Sequence, residues 1–169
     1  MTAWGKGRGL LGPLKPLLGA WANDTSGEGE SPASRMPCTR CFQSMGKGWI
    51  MLDARWGQSG EGGAGEGQYR ETALFGAGAD GGLAMFSFTS DGKRSQGRLA
   101  DGADVHAAAL AFEAEMPAGL ARMIYWPLDG DEPGFHFAVE SRTRKGWSRF
   151  LRHTYRPAVA VVHTDLSGL

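Results

Sequence analysis

Apolar and polar residues alternate in ten short runs between Ala20 and Pro157, and Gly-rich turns separate nearly every neighbouring pair. A period of two marks a strand with one buried face, whereas a helix would repeat near 3.6. The runs cover 20–26, 35–45, 49–56, 68–75, 83–89, 93–100, 107–116, 120–128, 135–142 and 148–156. The seventh is Ala-rich and has helical propensity. Leu110, Phe112, Ala114 and Met116 nevertheless alternate with Glu113 and Glu115, which predicts a strand. Residues 10–18 predict a short helical turn or lid, interrupted by proline. Residues 57–67, GQSGEGGAGEG, read as a flexible loop.

Ten strands joined by turns predict an all-β fold, a ten-stranded antiparallel meander closed into a barrel. Residues 1–12 are expected as a loose N-terminal tail, 13–157 as the barrel and 158–169 as a C-terminal tail, all in one domain. The apolar patch at 159–162 needs cover, from an extra edge pairing or from a second copy in a homodimer. A barrel of eight to ten strands has an interior able to hold a small ligand.

The 18 basic and 18 acidic residues cancel, and no basic stretch stands out. That balance argues against nucleic acid or an anionic membrane as partner. Gly12, Pro13, Lys15 and Pro16 break up the N-terminal leucines, so no continuous apolar core of a secretory signal is expected. No run approaches the roughly 20 apolar residues of a membrane-spanning helix. The expected location is the cytoplasm.

Several motifs invite chemistry that their context argues against. Cys38 and Cys41 form a CxxC within a predicted strand, where residues three apart point to opposite faces. Such thiols neither bond to each other nor share a metal, and no second ligand pair follows at zinc-site spacing. Residues 76–81 match GxGxxG, but the next segment reads as strand, not as the helix a dinucleotide site needs. Glu113 and Glu115 share the face opposite Phe112 and Ala114 and are expected in solvent. Asp129, Asp131 and Glu132 lack the EF-hand pattern and read as a polar turn. No metalloprotease or serine-hydrolase motif occurs.

Leu17-Leu18-Gly19-Ala20-Trp21 resembles the opening of lipocalin-like (calycin) barrels, in which Gly-x-Trp leads into the first strand. The run 150–156, FLRHTYR, resembles their closing strand. The pattern is most similar to bacterial lipocalin-like proteins, and more distantly to nitrobindin-like haem barrels and fatty-acid-binding proteins. The resemblance implies that Trp21 covers the closed end of the barrel against a late-strand cation, Arg152 or Arg156.

In the last run, solvating Arg152 and Arg156 turns Leu151, His153 and Tyr155 inward. Fatty-acid-binding proteins carry an inward Arg-x-Tyr there, whereas this chain has His153-x-Tyr155. The fixed charge at that position is gone, which points to a less acidic ligand. The nitrobindin resemblance offers His153 as a haem ligand, and otherwise no cofactor is expected. A buried His153 should be neutral near pH 7. His136 alternates with Phe135 and Phe137 and is expected outside.

These observations favour a non-enzymatic barrel that binds a small, largely apolar molecule. The expected wall is Trp49, Met51, Met123, Tyr125, Phe135, Phe137, His153 and Tyr155. The same side chains suit a packed core. The alternatives are a haem or gas-binding barrel, or a calycin-type isomerase or lyase. An enzyme would need an inward acid or base among Asp53, Arg55, Glu71 and Glu140.

Overall fold

Each alternating run forms a strand in the computed structural model, which describes residues 4–25, 31–57 and 69–158. The strands are β1 (Gly19–Asn23), β2 (Cys38–Met45), β3 (Trp49–Trp56), β4 (Tyr69–Ala77), β5 (Leu83–Thr89), β6 (Arg94–Ala100), β7 (Leu110–Met116), β8 (Gly119–Pro127), β9 (Phe135–Thr143) and β10 (Gly146–Pro157). Every strand pairs antiparallel with its neighbours in sequence, and β10 returns to pair with β1. The result is a closed ten-stranded meander barrel without exposed sheet edges. Among the described residues, no helix is long and apolar enough to cross a membrane.

The period of two sorts side chains inward and outward, and one irregularity resets it. Arg149 pairs with Glu140, but Leu151 pairs with Val139, so β10 carries a bulge at Phe150. Arg149 thereby stays outside beside Glu140, while Leu151, His153 and Tyr155 point in. From Leu151 to Tyr155 the register is unbroken.

The closed end is plugged by a 3-10 helix, Gly12–Leu17, whose Leu14 and Leu17 are fully buried in the core. Gly12 permits the plug's close backbone packing, because a Cβ there would meet the Gly7 carbonyl. Trp21 donates its indole N–H to the Leu17 carbonyl at 2.7 Å and meets Phe135 edge-on at 5.1 Å. Trp21 therefore covers the closed end, but the expected cation is not on it. Arg152 lies over Trp126 outside the barrel, and Arg156 pairs with Glu132. The stretch before the helix also departs from a loose tail. Trp4 packs on Phe135 and donates to the Ala108 carbonyl at 3.0 Å.

Outside the barrel, a second small core of Ala111, Ile124, Trp126 and Ala138 is covered by Val105 and Ala109. Ion pairs fasten this cover. Arg122, only 2% exposed, holds Glu140 at 2.7 Å and the Asp104 carboxylate through both terminal nitrogens, at 2.9 and 2.7 Å. The expected patch at 159–162 lies outside the described residues, as does most of the 57–67 loop.

Candidate functional site

On several strands the inward side chains shrink from the closed end toward the middle of the barrel. On β7, Phe112 gives way to Ala114; on β5, Met85 to Ser87; on β8, Tyr125 to Met123 and Ala121. On β9, Phe135 and Phe137 give way to Val139 and Ser141. The aromatic half is packed solid around Phe42, Phe75, Phe112 and Phe135, all at most 1% exposed. The other half leaves a cavity of about 540 Å³. Its walls include Met36, Trp56, Met116, Met123, Phe137, Val139 and Leu151, and its charged interior groups are Arg40 and Glu71.

Arg40 stands at the boundary between the packed half and the cavity. It follows Cys38 and precedes Phe42 on the inward face of β2, and it is 1% exposed. Its Nε donates to the Tyr155 hydroxyl at 3.1 Å and its Nη1 to the Tyr125 hydroxyl at 3.0 Å. The Phe137 ring lies 3.9 Å from the guanidinium carbon and Trp56 at 5.2 Å. Among the described residues, no carboxylate lies within ion-pair distance of it. Phenols and ring faces thus hold a cation that most proteins pair with an acid. Burial works against the charge, but the surrounding Tyr125, Tyr155, Cys38 and Glu71 groups more than offset it, and the Arg40 pKa is raised. Burial also pushes the Tyr125 phenol up to about 12, so it remains a neutral hydroxyl.

The hydrogen bonds from Arg40 continue to His153. The Tyr155 hydroxyl accepts from Arg40 and lies 2.9 Å from His153 Nδ1. His153 Nε2 faces the Ala33 carbonyl at 3.3 Å. A carbonyl only accepts, so Nε2 carries the proton and Nδ1 accepts from Tyr155. Burial, opposed by the Ala33 carbonyl, lowers the His153 pKa to about 4, so the ring is neutral at pH 7.

Glu71 reaches the cavity from β4. The register aligns Arg40 with Ala54 on β3, and Ala54 with Glu71. The two charged residues therefore flank a small residue in one row, with backbones roughly 10 Å apart across two strand spacings. Ser87 donates to Glu71 Oε2 at 3.0 Å. Glu71 Oε1 is buried and, among the described residues, has no hydrogen-bond partner.

The expected wall residues separate into three groups. Met123 and Phe137 line the cavity. Tyr125, Phe135, His153 and Tyr155 point inward but belong to the packed half, and the two tyrosines act through Arg40. Trp49 and Met51 are a correction. They lie on the outer face of β3, opposite Ile50, Leu52 and Ala54. The Trp49 indole rests on Gly76, where any Cβ would collide with it, and packs edge-on against Phe86. Arg40, missed in the sequence, restores the fixed charge whose loss from the last strand had argued against acidic ligands.

Other candidate chemistry is dispersed. Both ring nitrogens of His153 are engaged within the protein, which does not fit a haem ligand. Cys38 faces in and Cys41 out, and both thiols are free. Asp53 is tied to Arg55 and Arg70 at the surface, and Glu140 to Arg122 and Arg149 outside the barrel. Of the acids and bases considered for catalysis, Glu71 alone lines the cavity. His136 bonds Thr154 on the outer face. No family model and no curated protein sequence matches the chain.

Proposed function

We propose that this barrel binds a small, largely apolar molecule whose polar end offers a hydrogen-bond acceptor to Arg40, in the manner of lipocalin-like barrels. The observation that carries the reading is the buried guanidinium at the inner end of an apolar cavity, bonded to phenols and, among the described residues, to no carboxylate. Phenol oxygens account for two of its five N–H donors. A ligand oxygen adds a charge-assisted bond, while Met and aromatic walls take the apolar body. A cavity of about 540 Å³ is in the range for small-molecule sites.

Fluorescence titration with 6-propionyl-2-(dimethylamino)naphthalene tests this reading, because that neutral probe joins an apolar body to a ketone acceptor. One saturable site is expected, weakened about tenfold or more in Arg40→Met. Met123→Trp, which fills the cavity from another strand, should also weaken it and serves if the Arg40 variant does not fold. Absence of saturable binding to the wild type, or wild-type affinity in a folded variant, would overturn the proposal.

A further inference from the structure

Glu71 is more than nine-tenths buried, lines the same cavity as Arg40, and has one carboxylate oxygen without a partner among the described residues. Ser87 supplies a hydrogen bond to Oε2 only. An unsatisfied buried acceptor is costly, and an unsatisfied charged one more so. Arg40 and Glu71 also flank Ala54 in one row of the barrel wall, so only a methyl side chain stands between their backbone positions.

Resting on the proposed function, we infer that the ligand's polar end is neutral and amide-like, with an oxygen that accepts from Arg40 and an N–H that donates to Glu71 Oε1. Charge supports this class over a free carboxylate. The guanidinium and the Glu71 carboxylate together sum to zero within the cavity. A ligand carboxylate would leave one uncompensated negative charge in a low-dielectric space and would repel Glu71. Lys93, Arg94 and Arg122 border the cavity too, but Lys93 and Arg94 are exposed to solvent and screened there, and Arg122 is paired with Glu140 and Asp104 outside the barrel. An amide adds no net charge and satisfies both interior groups at once. A plain ester or ketone would satisfy Arg40 and leave Glu71 Oε1 orphaned.

Competition against the neutral naphthalene ketone probe separates these classes. Octanamide, N,N-dimethyloctanamide and octanoate share the same chain but differ in donor and charge. On the wild type, octanamide should displace the probe at roughly tenfold lower concentration than the dimethyl compound, the usual value of a hydrogen bond to a charged group. It should also outcompete octanoate at pH 8. In Glu71→Met the preference for octanamide over the dimethyl compound should fall to about parity while probe binding persists. If Glu71→Met does not fold, Glu71→Gln provides the second test: its neutral carbonyl is a weaker acceptor, so the preference should shrink to the few-fold worth of an uncharged hydrogen bond. Equal displacement by the two amides on the wild type, or a preference untouched in the folded variants, would overturn the inference and leave the binding function standing. Failure of the probe to bind at all would instead remove the function itself.

Discussion

Acid should weaken this barrel through His153, and the size of the effect follows from its surroundings. The imidazole is 1% exposed, its Nδ1 accepts from Tyr155 and its Nε2 donates to Ala33. Its pKa is lowered by burial from 6.5 in the unfolded chain to about 4. Between those values the unfolded chain binds a proton that the folded chain does not, so stability falls as pH drops through this window. The contribution is fully present above pH 6.5, and roughly 2.5 kcal/mol of it is lost by pH 4.5. His153→Gln is the informative variant, since its amide can accept from Tyr155 and donate to Ala33 without titrating. Urea unfolding followed by tryptophan fluorescence should give similar stabilities for the two proteins at pH 7.5. At pH 4.5 the variant should have gained about 2.5 kcal/mol relative to wild type. Parallel stability profiles for the two proteins from pH 7.5 to 4.5 would refute the buried, neutral histidine.

Two further outcomes are expected. Glu140→Gln leaves the buried Arg122 charge short of a partner and should cost about 3 kcal/mol or more in urea unfolding, whereas Asp104→Asn, at a side chain 55% exposed, should cost about 1 kcal/mol or less; equal losses would contradict the buried clamp. In the native protein, a thiol reagent should label half-buried Cys41 before Cys38, which is 2% exposed and whose pKa is raised chiefly by burial. Mass spectrometry of digested, labelled protein would show the order, and faster labelling of Cys38 would contradict the assigned faces.

Much of the barrel was legible because alternation is a local signal. The spans 49–56 and 83–89 coincide with β3 and β5, and the Ala-rich seventh run is strand where leucine and phenylalanine alternate with glutamate. What failed was the phase of β3. Trp49, Ile50, Met51 and Leu52 are all apolar, so alternation is lost there, and on the outer face Trp49 packs over Gly76 and against Phe86. Asp53 and Arg55 held the clue. If both are outside, so are Trp49 and Met51.

Arg40 was passed over because a charge on a strand usually marks a solvated face. Its place between Cys38 and Phe42 was the available signal, since Thr39, Cys41 and Gln43 form the other face. The decrease in side-chain size from Phe112 to Ala114, and from Met85 to Ser87, also foreshadowed a half-empty barrel. The Ala33 carbonyl on His153 and the row joining Arg40, Ala54 and Glu71 had no local signal, because both depend on register between separate segments.

The location of bound ligand tests the account most directly, and the methionines report it. Met36, Met116 and Met123 line the cavity, Met85 lies in the packed half and Met51 on the outer face. In protein carrying 13C-labelled methionine methyl groups, adding octanamide should shift the Met116 and Met123 signals in a saturable manner and leave Met51 and Met85 in place. Saturable shifts confined to Met51, or no shift at Met116 and Met123 at concentrations that displace the probe, would contradict a binding site inside the barrel.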